Sequence, residues 1–168
     1  AFAIALGIVS VSRLFAPIFW GEDFAPCAYI LSALALSIPF SGFANVIRMQ
    51  YLIPNGMDGA YILSVILGAV SNLTANSLLI PRCGALGAAV GTVIAEGVVC
   101  AAQCLAVKKR IDILAYLKST AFFGMAGLLM YGAVQVLDQR AEITVSWLLL
   151  EIVVGGSVYC ILSVLYLY

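Results

Sequence analysis

Apolar residues run along this chain in long blocks, broken by short polar clusters that carry glycine or proline. A helix needs about 20 mostly apolar residues to cross a bilayer. Six blocks meet that length, and they predict transmembrane helices over about 1–20, 24–47, 59–80, 84–107, 114–137 and 143–168. Helices suit lipid because each satisfies its own backbone hydrogen bonds. The expected fold class is therefore an all-α integral membrane bundle of about six helices.

The interruptions have turn chemistry. Gly21-Glu22-Asp23 separates the first pair, and Pro26 suits the first turn of the next helix. Pro54-Asn55-Gly56 lies in the second connection, and Pro81-Arg82-Cys83-Gly84 predicts a very short turn between the third and fourth helices. Pro39 falls inside the second block, where it is expected to kink the helix or free a carbonyl.

Composition agrees with the pattern. Charged residues make up 10% of the chain, against about 25% in soluble domains, so most of the surface must face lipid rather than water. Mean hydropathy is +1.14. The formal net charge is zero, which gives no ground for a nucleic-acid partner. Five scattered cysteines (Cys27, Cys83, Cys100, Cys104, Cys160) without CxxC spacing, and no histidine, argue against structural zinc and histidine acid–base chemistry. The cysteines read as small apolar packing residues. No P-loop, GxSxG or HExxH motif is present, so no enzyme, metal or cofactor is expected. The opening Ala1-Phe2-Ala3-Ile4 lacks the charged region of a signal peptide and reads as a chain entered in mid-sequence.

Lysine and arginine set the orientation. Lys108, Lys109, Arg110 and Lys118 place the connection between helices four and five in the cytoplasm. Threading then puts Gly21–Asp23, Pro81–Gly84 and Asp138–Glu142 outside, with Arg82 and Arg140 as their only basic residues, and the C-terminus inside. Trp20, Tyr51, Tyr61, Tyr116, Trp147 and Tyr166 fall near helix ends, as an interfacial aromatic belt requires. The Lys108–Arg110 cluster reads as a topology determinant and also suits anionic lipid headgroups.

Polar residues inside the spans are the candidates for function. Gly87, Gly91 and Ala95 form a small-residue stripe that admits a close neighbour. Glu96 lies about 12 residues from the outer end, hence roughly 18 Å deep. A charge there costs on the order of 2.5–3.5 kcal/mol, so Glu96 is either a proton, cation or substrate site or a protonated group hydrogen-bonded to another helix. Ser64, Gly68, Asn72 and Asn76 share a second stripe that either lines an aqueous cavity or packs through amide bonds. Arg13 either snorkels to the headgroups or holds a phosphate. Glu151 carries the same two readings as Glu96.

The residues also carry a resemblance. Gly21-Glu22-Asp23-Phe24-Ala25-Pro26, the run from Leu31 to Phe40, and Gln50-Tyr51-Leu52-Ile53-Pro54-Asn55-Gly56 resemble the C-terminal part of O-antigen (Wzx-type) polysaccharide flippases. So does the block Gly68-Ala69-Val70-Ser71-Asn72 through Asn76, Leu79-Ile80-Pro81 and Gly84-Ala85-Leu86-Gly87-Ala88-Ala89 to Thr92-Val93-Ile94-Ala95-Glu96. The resemblance covers about residues 15–107; the last two helices match in hydropathy alone. It implies membership of the multidrug/oligosaccharidyl-lipid/polysaccharide transporter superfamily, whose members have two lobes around a central cavity and work by alternating access. This chain would then be the C-terminal lobe, without its N-terminal partner, in a bacterial inner membrane.

The implied substrate is an oligosaccharide on undecaprenyl pyrophosphate, carried from the cytoplasmic to the periplasmic leaflet for surface polysaccharide and lipopolysaccharide assembly. Partners would be that lipid-linked oligosaccharide, membrane lipids and a coupling ion, H+ or Na+. Arg13 is the candidate for pyrophosphate, and Glu96, Asn72, Asn76 and Glu151 for sugar or ion contacts. A drug or toxin extruder of the same fold is the alternative. A polymerase or ligase of lipid-linked glycan needs reactive groups on larger outer loops, and a non-transporting packing subunit has no use for an intramembrane glutamate.

Overall fold

A helix in lipid gains little by hiding large aliphatic side chains, so its neighbours meet through small ones. That inversion runs through the computed structural model, which describes residues 1–138 and 143–167. Leu73, Met125 and Val153 are among the exposed residues, while Ala5, Ala16, Ala35, Gly68, Ala89, Gly91 and Ala126 are buried. The described residues form α-helices α1 (Phe2–Trp20), α2 (Cys27–Ala35), α3 (Ser37–Ile47), α4 (Asp58–Val107), α5 (Ile113–Asp138) and α6 (Val145–Leu167). With α2 and α3 taken as one span, five helices are long and apolar enough to cross a membrane. The protein is an all-helical, multi-pass membrane protein. Of the expected outer loop from Asp138 to Glu142, all but Asp138 lies outside the described residues, Arg140 included.

The chain divides into two units, 1–35 with 118–168, and 36–117. In the first, α1 packs against α2, α5 and α6. Glycines set the spacing: a side-chain carbon on Gly127 of α5 would lie 2.6 Å from Leu6 of α1, and one on Gly155 of α6 would lie 3.1 Å from Val134 of α5. Ser12 and Ser32 join α1 to α2 by a 2.9 Å hydrogen bond. Phe122 and Tyr166 stack at 3.8 Å between α5 and α6.

The second unit is built on α4. Its 50 residues would reach about 75 Å if straight, far beyond the roughly 30 Å of hydrocarbon in a bilayer. Instead the chain reverses at Gly84, where φ is 56° and ψ is −135°, a conformation that glycine adopts without the clash a Cβ would bring. Gly87 then faces Leu79, Gly91 faces Asn76, and Gly68 faces Val99. These pairs close symmetrically on the turn, so α4 is a hairpin of two antiparallel halves. The separate third and fourth helices expected from the sequence are these two halves, with Pro81 inside the end of the first. The far end of the hairpin is tied by Gln103, which donates a 3.1 Å hydrogen bond to Ser64. Ile47, Leu52 and Val107 form a small apolar core beside it.

The second predicted helix, 24–47, needs correction. A 3-10 turn at Glu22–Phe24 comes first, and α2 starts only at Cys27. Pro26 immediately precedes α2, at a helix start where a missing N–H costs nothing. The span is then interrupted at Leu36, and the two units divide there. Pro39 accounts for the position: it cannot donate to the carbonyl four residues back, that of Ala35, and its ring crowds that group. A π-type turn over Arg48–Leu52 follows α3 and leads to the Pro54–Gly56 connection.

Replacing Gln103 by leucine is expected to change stability little, by about 0.6 kcal/mol. Interhelical hydrogen bonds in membranes average that value, because the separated helices find other partners. Unfolding of the protein in detergent at rising denaturant checks it.

Candidate functional site

The polar residues singled out from the sequence fall into both units, and each has acquired a definite environment. In the second unit, Ser41 of α3 donates a 2.8 Å hydrogen bond to Glu96 Oε2 on the second half of α4. Glu96 is half-buried. Its partner comes from a different helix, so the carboxyl group pins α3 to the hairpin whatever else it does. Asn76 donates to Asn72 Oδ1 at 2.9 Å, one turn away on the same helix. Asn76 also packs on Gly91, and its own Oδ1 is buried without a protein donor. The asparagine face therefore meets the small-residue stripe of the opposite half of the hairpin, the arrangement expected for packing.

In the first unit, Arg13 of α1 reaches Asp138 at the end of α5, with 3.0 Å between Nη1 and Oδ2. The exposures are unequal: 77% for the arginine side chain and 5% for the aspartate. A buried acid thus holds one edge of a guanidinium whose remaining donors stay open. The contact also places Arg13 and Asp138 at one level of their unit.

Glu151 is the most enclosed ionisable residue among those described, with 1% of its surface exposed. Neither of its carboxylate oxygens meets a protein hydrogen-bond donor. It borders a cavity of about 380 Å³ whose wall is otherwise mostly aliphatic, with Ile4 and Ile8 from α1, Val134 from α5, and Ile152 and Gly155 from α6. Sequence position alone gave Glu151 no precedence over Glu96. The difference between them lies in partners from other helices.

Asp138, Ser41 and Gln103 escaped the sequence reading. Asp138 sits at a helix end, where an acid reads as a loop residue. Ser41 has the size of a packing residue, and its role follows only from the contact with Glu96. Gln103 had a visible signal, an amide inside an apolar block four residues beyond Val99. No group of three or more histidine, cysteine, aspartate or glutamate side chains that would suit a metal ion occurs among the described residues.

No known protein family, curated protein or solved structure matches this chain. Its function is therefore argued from the residues and their geometry.

Proposed function

We propose that this chain is the C-terminal lobe of a flippase that moves undecaprenyl-pyrophosphate-linked oligosaccharide units from the cytoplasmic to the periplasmic leaflet of a bacterial inner membrane. The observation that carries the reading is the block from Gly68 to Glu96. Its residues resemble those of polysaccharide flippases, and its glycines and asparagines build the close-packed hairpin of α4. Transport needs rigid helical pieces that move as bodies, and a hairpin closed by backbone-level contacts is such a piece.

The chemistry of the spans supports the same reading. A glycan headgroup cannot cross about 30 Å of hydrocarbon unaided, so polar groups must be held at membrane depth. Glu96 supplies one in the second unit, and Arg13 and Glu151 supply others in the first. The exposed donors of Arg13 suit a pyrophosphate, since a planar fork matches paired phosphate oxygens. Lys108, Lys109 and Arg110 mark the cytoplasmic side in this arrangement, and alternating access would take place against the N-terminal lobe.

Replacing Glu96 by glutamine in the full-length protein is expected to lower glycan export about tenfold or more. That is the consequence of losing a charge-assisted contact worth roughly 1.5–3 kcal/mol. Membrane abundance should stay unchanged, because glutamine still accepts the hydrogen bond from Ser41. Export by cells carrying E96Q, normalised to immunoblotted protein, gives the answer. Undiminished export removes Glu96 from the transport site.

A further inference from the structure

Two glutamates lie within the spans, and only one of them has a partner. Glu96 accepts a hydrogen bond from Ser41, whereas both oxygens of Glu151 are enclosed without a protein donor. An ionised carboxylate buried without a partner is too costly to persist, and such a group takes up a proton instead. We propose that Glu151 is the reversible proton-binding site of this protein, existing as the neutral acid when the surrounding helices are closed. The proposal rests on the transport reading and deepens it, by choosing the proton over sodium and Glu151 over Glu96 as the coupling site.

The neighbours of Glu151 favour that choice. The titratable groups that bear on it from the packed helices are Arg13 of α1 and Asp138 of α5. They are paired with each other at 3.0 Å, so the arginine does not serve as a dedicated counter-ion to Glu151. Tyr159 and Cys160 of α6 share the cavity wall. A hard metal cation needs about six oxygen ligands. Beside Glu151 the wall offers the hydroxyl oxygens of Ser10 and Tyr159 among aliphatic groups. A proton needs only the carboxylate. Binding adds one proton to one carboxylate oxygen and releases it again, with no other bond made or broken.

Infrared difference spectroscopy on the full-length protein in liposomes tests the site directly. Wild type minus E151Q should show the carbonyl band of a protonated carboxylic acid, shifted in heavy water. The band should fade reversibly as pH is raised and remain when sodium is added at constant pH. E96Q should retain it. E151D, which keeps the acid should E151Q fold poorly, should move the band rather than abolish it. Absence of any Glu151 acid band across the pH range overturns the proposal, and so does its removal by sodium at constant pH. Loss of the flippase reading would show separately, as absent glycan transfer by wild-type protein whose acid band is intact.

Discussion

Replacing Gly87 by alanine is expected to destabilise the protein by about 1–3 kcal/mol, the usual cost of forcing a carbon into a closed interface. The added carbon would stand 2.5 Å from the Leu79 carbonyl oxygen and 2.6 Å from its carbon. Both are backbone atoms, so no side-chain rotation relieves the clash and the two halves of α4 must separate. Gly97 is the control: it lies in the same half, and an added carbon there meets nothing within 4 Å. Alanine at 97 should be neutral or slightly stabilising, since alanine is the better helix former. Side-by-side denaturant titrations of G87A and G97A in detergent measure the contrast. Equal stability of the two variants would mean that the hairpin does not close as described.

The second large effect concerns Arg13 and Asp138, and it is asymmetric. Removing the arginine strands an acid whose side chain is 5% exposed. An unsatisfied buried group costs about 1–3 kcal/mol, with charged groups at the upper end. Removing the acid leaves an arginine that is 77% exposed and finds water or headgroups on its own. Exposed pairs are worth about 0–1 kcal/mol, so D138A should be the milder change. The double variant R13A/D138A should be nearer to D138A than to R13A, because the stranded charge is gone. The same three proteins in a denaturant titration provide the comparison, and an R13A no weaker than D138A would count against the burial of Asp138.

Hydropathy made most of the helices legible, because lipid imposes a length and a polarity on every span. Both ends of α1, α5 and α6, and the last residue of α3, lie close to their expected positions for that reason. Prolines were harder to read. Pro26 marked a helix start and Pro39 a disturbance: α2 begins one residue after the first, and the second acts on the carbonyl of Ala35 before it. The hairpin was half legible: Gly87 and Gly91 signalled a close neighbour, but the sequence does not say that the neighbour is the preceding half of the same helix pair. Partners from distant segments were not legible at all. The pairing of Arg13 with Asp138 spans most of the chain, and Ser41 meets Glu96 from a helix that carries no charge in its own block. Glu151 shows the limit most clearly. Its lack of partners is a property of three helices packed together, and no local pattern around residue 151 reports it.

The measurement that bears most directly on the central claim follows undecaprenyl-linked glycan in cells lacking the full-length protein and determines which leaflet it occupies. The flippase account predicts complete repeat units accumulating on the cytoplasmic leaflet. Units that reach the periplasm normally but fail to polymerise would contradict it and point to an enzyme of glycan assembly, and cells with no glycan defect would contradict it in favour of a drug or toxin extruder.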